Sequence, residues 1–170
     1  MKSINTYLTE KFRVNKDMVS IKYIPKTSDE LREIIDKRTK NIITDENGDL
    51  DFNDIDVSNI SDFSQLFNGK QRAKTIDISC WDMSKCTSFE GMFSGCLELR
   101  TIYLNPNKKI CPKTLDFMFF ACPKLENIDF IKNIDMSDSP SCAGMFMGCR
   151  KLSSSQKNKI MKLFPDSLTI

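Results

Sequence analysis

The chain has 170 residues, 40% hydrophobic and 28% charged, with a net charge of +2, the profile of one ordinary globular domain large enough to bury a core. It contains no histidine, which removes the commonest general base, the commonest metal ligand and every Ser-His or Cys-His nucleophile pair. Its seven cysteines include no CxxC pair, and no segment has the length of a membrane span or the apolar run of a secretory signal. The expectation is a cytoplasmic, monomeric chain with reduced thiols, no membrane contact, no metal, no cofactor and no catalytic constellation.

In chain order, Ile4, Tyr7, Leu8 and Phe12 have helical spacing, so Ser3–Phe12 reads as a short amphipathic helix. Val19, Ile21 and Tyr23 alternate before Pro25, which suits an edge strand. The spacing of Leu31, Ile34, Ile35 and Ile42 then predicts a helix. Thr27 and Glu30 are placed for a capping box, and Lys37, Arg38 and Lys40 fall in the last turns. Asn47-Gly48 is a turn signal for a hairpin or loop. The aspartates around it lack the calcium-loop spacing, since Gly48 is fourth and Asp56 twelfth counting from Asp45.

From Ile55 the chain repeats itself. The phenylalanine of an MF or LF pair recurs at Phe67, Phe93, Phe119 and Phe146, preceded by Leu66, Met92, Met118 and Met145. Three residues on stand Cys96, Cys122 and Cys149, and three further Leu99, Leu125 and Leu152. A polar phrase opens three copies, Ile55–Ser58, Trp81–Ser84 and Ile134–Ser137. Phe89, Met92, Phe93 and Cys96 have i, i+3, i+4, i+7 spacing and predict a helix in each copy. A strand follows, with Ile76/Ile78, Ile102/Leu104 and Ile128/Phe130 turned inward. The outward rows are then Thr75, Thr101, Asn127; Asp77, Tyr103, Asp129; and Ser79, Asn105, Ile131. A period in this range marks a solenoid, in which the Phe, Met, Cys and Trp81 positions are core. Ser153 with Gln156 caps a last helix that Pro165 stops.

The phrase Trp81–Leu104 resembles the repeat of the BspA-like leucine-rich-repeat family, through Trp81, Asp82, Ser84, Thr87, Met92, Phe93, Cys96, Leu99, Ile102 and Leu104. The resemblance covers about Ile55–Leu152. It implies an α/β fold, a leucine-rich-repeat-like solenoid of about four 26-residue strand-helix repeats. Residues 1–54 would form an α/β N-terminal cap, 55–152 the repeats and 153–170 a helical C-terminal cap. Large members of that family look like surface proteins that bind host proteins, which keeps an adhesion-type role as an alternative. The phrase from Tyr23 to Arg38 looks like the leader of small stand-alone members in bacteria and phages.

A rigid repeat face suits binding better than catalysis. Asp77 and Asp129 would stand two strand spacings apart, ~9.6 Å, with Tyr103 between them, too wide for a retaining carboxylate pair. As a docking surface the row is more apt, since Tyr103 supplies an aromatic anchor and the aspartates suit a basic partner. The C-terminal part, residues 105–170, is the basic end, with ten cations to six anions. The expected function is a non-enzymatic module that docks on a larger protein through Asp77, Tyr103, Asn105 and Asp129, with Lys108, Lys109 and Lys113 beside them. The phage association sharpens this to an inhibitor of a host-defence nucleoprotein nuclease of the CRISPR kind. Direct RNA or DNA binding through the basic side is the alternative.

Overall fold

The computed structural model describes residues 20–40, 48–105 and 109–167; the expected helix Ser3–Phe12 lies outside them. Helix α1 is Ser28–Thr39. The Thr27 side chain accepts the Glu30 N–H at 3.1 Å, and acidic Asp29 and Glu30 and basic Lys37 and Arg38 sit at the ends that the helix dipole favours. The box is offset by one residue, because the Glu30 carboxylate takes the Lys26 N–H at 2.7 Å instead of that of Thr27. Leu31, Ile35 and Thr39 are buried, and Arg38 lies over the Phe52 ring at 4.8 Å while pairing with Asp54. Among the described residues the expected edge strand is one parallel bridge, Tyr23 to Ile55, and Val19 lies outside them.

Strands β1 (Asp49–Asp51), β2 (Thr75–Ile78) and β3 (Thr101–Leu104) form a parallel sheet in that order, with Asp51, Asp77 and Tyr103 in register. Gly48 takes φ +65 and leads into β1, whose partner β2 runs parallel; Asn47 of the expected turn lies outside the described residues. The sheet ends at β3. Where a third repeat strand was expected, the Asn127 side chain accepts the Asp129 N–H at 2.8 Å and the chain coils into a 3₁₀ helix, Asp129–Asn133.

The MF segments are where the expected fold class fails. Among the described residues the α-helices are α1 and α2 (Ser154–Leu163), and neither lies in a repeat. Phe89, Met92, Phe93 and Cys96 are all buried, yet their segment is a series of tight turns. Gly91 and Gly95 sit at φ +58 and +70, so the right-handed run is broken every fourth residue. Freed from i−4 partners, alternate N–H groups bond across to the following copy: Phe89 to Thr114, Gly91 to Asp116, Phe93 to Met118, Gly95 to Phe120, each at 2.8–3.1 Å. Two of the three sheet strands come from the repeats, and the sheet is open. A leucine-rich-repeat-like solenoid of four strand-helix units is therefore not what this chain forms.

Those cross-bonds hold equivalent side chains in file. Phe67, Phe93, Phe119 and Phe146 stack at centroid separations of 5.3, 5.2 and 5.5 Å, with ring planes within 9° of parallel. The buried thiols form a second file. Cys96, Cys122 and Cys149 donate to the carbonyls of Phe67, Phe93 and Phe119 at 3.1, 3.0 and 3.2 Å. The first turn has Lys70 in the thiol position, and its ammonium reaches back to Asp36 of α1 at 2.6 Å.

The ladder is directional, and its two ends are closed differently. At the first turn the carbonyls of Asp62 and Ser64 take the Ser28 hydroxyl and the Arg32 guanidinium from α1, at 2.7 and 3.1 Å. At the last, the N–H groups of Gly144 and Phe146 donate to the carbonyls of Asp166 and Ser167. Helix α2, with both halves of the Ser153–Gln156 capping box in place, brings that tail round and sets Phe164 against Phe146.

Two measurements test this account. Ala121 holds φ +55 where the other turns have Gly69, Gly95 and Gly148. Ala121→Gly should therefore raise unfolding free energy by roughly 1 kcal/mol. Gly148→Ala should lower it by more, because at φ +82 a Cβ would stand 3.1 Å from the Ala121 Cα. The second concerns the thiols. Burial pushes Cys96 and Cys149 up to about 12 from an ordinary 9.0. A raised folded value means that the contribution to stability is complete below about pH 8.5, where the unfolded thiol begins to ionise, and is lost as pH rises toward 12. Urea unfolding from pH 9 to 11 should show Cys96→Ala losing stability less steeply than the parent, by about 1.4 kcal/mol per pH unit.

Candidate protein-docking face

The side chains expected to form one face are scattered. Asp77 is fully buried, its Oδ1 turned back onto the Ser79 N–H at 3.0 Å, so no partner can reach it. Asn105 is also buried. Tyr103 is half-buried beside Asp77, and burial followed by the Asp77 and Asp49 charges raises its phenol above the ordinary value. Asp129 is exposed but belongs to the 3₁₀ helix, where it pairs with Lys132 at 2.8 Å. The strand rows thus hold for Thr75–Thr101 and Asp77–Tyr103 and are lost at their third members. Lys109 is exposed, 4.0 Å from Asp135, and Lys113 is exposed beside the Thr87 and Ser141 backbone; Lys108 lies outside the described residues.

The polar opening phrase has a structural task. The Ser58, Ser84 and Ser137 N–H groups each bond the carboxylate two residues earlier, at Asp56, Asp82 and Asp135, closing the same side-chain turn three times. Trp81 is buried, its indole N–H bonded to the Phe52 carbonyl at 2.9 Å. Between α1 and the first turn, Asp36, Thr39, Lys40, Lys70 and Arg72 border an open concavity of about 530 Å³, with the Asp36–Lys70 ion pair inside it. Among the described residues no three metal-ligating side chains converge.

A different surface is singled out by comparing the turns with one another. Two residues before the stacked phenylalanine, the turns carry Gln65, Gly91, Phe117 and Gly144, all at positive φ. One residue after it they carry Asn68, Ser94, Phe120 and Met147. The first two turns thus show amides, glycine and a hydroxyl where the third and fourth show Phe117, Phe120 and Met147, all half-buried. The two rings meet edge to face at 5.9 Å. Phe117 stands at φ +55, a conformation that costs a residue with a Cβ roughly 1–2 kcal/mol and that glycine would adopt freely. The hydrogen bonds Phe117 N–H to Ala143 and Ala121 N–H to Met147 keep the third and fourth turns in register, so Met147 lies beside Phe120. Exposed Leu97 and half-buried Pro123 share one column, four residues after the stacked phenylalanine. The signal in the sequence is the change of type within aligned columns, which a search for repeated residues passes over.

The chain was compared with known proteins. The model of the family described as "Mycoplasma protein of unknown function, DUF285" matches residues 36–160, most of the chain and every repeat. No curated protein matches it, and no solved structure does. Among the described residues no helix is long and apolar enough to cross a membrane.

Proposed function

We propose that this chain, which belongs to the DUF285 family, is a non-enzymatic protein-binding module that docks on a larger protein through the Phe117–Phe120–Met147 surface. One observation carries the reading. A large aromatic side chain is kept in a left-handed backbone position, part-exposed, where two of the three other turns have glycine. What the half-buried ring contributes to folding is offset by backbone strain that glycine would avoid, and strain of this kind concentrates at functional positions. Part-exposed aromatic and methionine side chains are also the residue types enriched at binding surfaces and depleted from solvated ones. The rigid ladder beneath holds them in place before a partner arrives, which lowers the ordering cost of association.

The BspA-like reading of the repeat motif is supported by Trp81, Asp82, Ser84, Thr87, Met92, Phe93 and Cys96, all inside the family match. In both readings the protein acts by occupying a surface of its partner.

The test sets stability against binding. Phe117→Gly exchanges roughly 1–2 kcal/mol of backbone strain for the loss of one half-buried ring, so the melting temperature should stay within a few degrees of the parent. Affinity purification of the tagged protein from host lysate, washed at high salt and with nuclease, should retain a protein with the parent chain. Phe117→Gly and Phe120→Ser should each weaken its recovery by about thirtyfold, as for an aromatic anchor worth about 2 kcal/mol. Undiminished recovery by both variants would overturn the assignment of this surface.

A further inference from the structure

One margin of the docking surface is strongly basic. Five residues after each stacked phenylalanine come Arg72, Glu98, Lys124 and Lys151, and seven after it Lys74, Arg100 and Glu126, with Arg150 just before Lys151. The backbone bonds from Glu98 N–H to Gln71, Arg100 to Lys74, Glu126 to Arg100 and Lys151 to Pro123 place these residues in adjacent rows. Six cations therefore surround two carboxylates. The Lys124 ammonium is committed to Glu98, at 2.6 and 2.7 Å from its two oxygens. The Glu98 carboxyl is held below the ordinary range, first by that hydrogen bond and then by the Lys124, Arg100 and Lys74 charges. Arg150 and Lys151 are exposed at the end of the rows. They follow Met147 by three and four residues, so the basic rows begin where the apolar surface stops.

On the opposite margin stand Glu90 and Asp116, and Asp116 is occupied within the chain, accepting the Ser141 hydroxyl at 2.6 Å and the Ala143 N–H at 2.7 Å. The surface is thus apolar in the middle and cationic along one side.

We infer that this surface takes an acidic amphipathic segment of a partner protein, its apolar side chains seated on Phe117, Phe120 and Met147 and its carboxylates along the exposed Arg150 and Lys151. The inference rests on the protein-binding reading above and adds the chemistry of the partner. Charge complementarity across such a margin selects the partner and orients it on the apolar anchors. Single-stranded nucleic acid shares the negative charge but needs open aromatic faces for its bases. Here the two rings lie edge to face and half-buried, with no free platform.

Panning a random dodecapeptide library on the immobilised protein tests this, with a mixed-sequence single-stranded DNA as a parallel probe. Selected peptides should combine Phe, Leu or Trp with neighbouring Asp and Glu, and should lose about tenfold or more in affinity on the double variant Arg150→Glu/Lys151→Glu. The milder Arg150→Gln/Lys151→Gln should give a smaller loss in the same direction, and thermal melting shows that both remain folded. Apolar peptides without acidic enrichment, lost on Phe117→Gly but indifferent to the charge variants, would overturn the inference and leave the docking surface standing. Failure to select any peptide sensitive to Phe117→Gly would overturn both. Tight DNA binding that collapses at high salt and on Arg150→Glu/Lys151→Glu would assign the margin to a polyanion instead.

Discussion

The structure depends on backbone hydrogen bonds that run from one turn to the next. Each MF segment breaks its own right-handed run with residues at positive φ, such as Gly91 and Gly95, and so satisfies only every second N–H locally, as Met92 does on Phe89 and Ser94 on Gly91. A buried N–H without an acceptor costs a lost hydrogen bond, so the copies must lie side by side, with Phe93 donating to Met118 and Phe119 to Met145. Everything else follows from that spacing. The phenylalanine rings come into face-to-face contact because the backbones have already set their separation, and the thiols find the carbonyls of the preceding copy for the same reason. Cysteine suits this place better than a larger hydrophobe, because it is small and apolar and still carries a weak donor.

The core was legible in the sequence because repetition selects for it. Phe67, Phe93, Phe119 and Phe146 and the three aligned cysteines are all buried. The conformation of the repeats was not legible. An i, i+3, i+4, i+7 pattern describes one face of a helix, but a chain that reverses its handedness every fourth residue returns apolar side chains to the inside at the same intervals. Gly91 and Gly95 were the clue, masked in the third copy by Phe117 and Ala121. The outward rows failed for a different reason. Period-2 alternation assumes that polar side chains at a strand end face water, whereas the Asp77 carboxylate turns back to bond the Ser79 N–H and is buried. The capping residues were read more accurately, since Thr27 and Ser153 act over three residues and depend on nothing distant.

Strain and surface character coincide on the third turn. Gln65 shows that a side chain is tolerated at this left-handed position, and Gly91 and Gly144 show what the backbone prefers. A phenylalanine there leaves its ring half-buried, edge to face with Phe120. Because the ladder fixes the turn on both sides, through Gly91 to Asp116 and Phe117 to Ala143, the ring is presented without the freedom that a loop would leave it. The neighbouring charge pattern then gives the surface a direction, apolar toward the turns and cationic toward the corner.

The two closures of the ladder expose the molecule to different kinds of damage. At the first turn the carbonyls are sealed by side chains, Ser28 and Arg32, so a single missense change can uncover an edge while every backbone atom stays in place. At the last turn the donors are sealed by the carbonyls of Asp166 and Ser167, which every residue possesses. That end depends on the tail keeping its place, which Phe164 against Phe146 and the buried Ser167 hydroxyl on the Phe164 carbonyl secure. An uncovered edge of paired-strand character is a template for another chain. The loss of one side chain therefore uncovers the first edge, whereas the last opens only when the whole tail leaves its place.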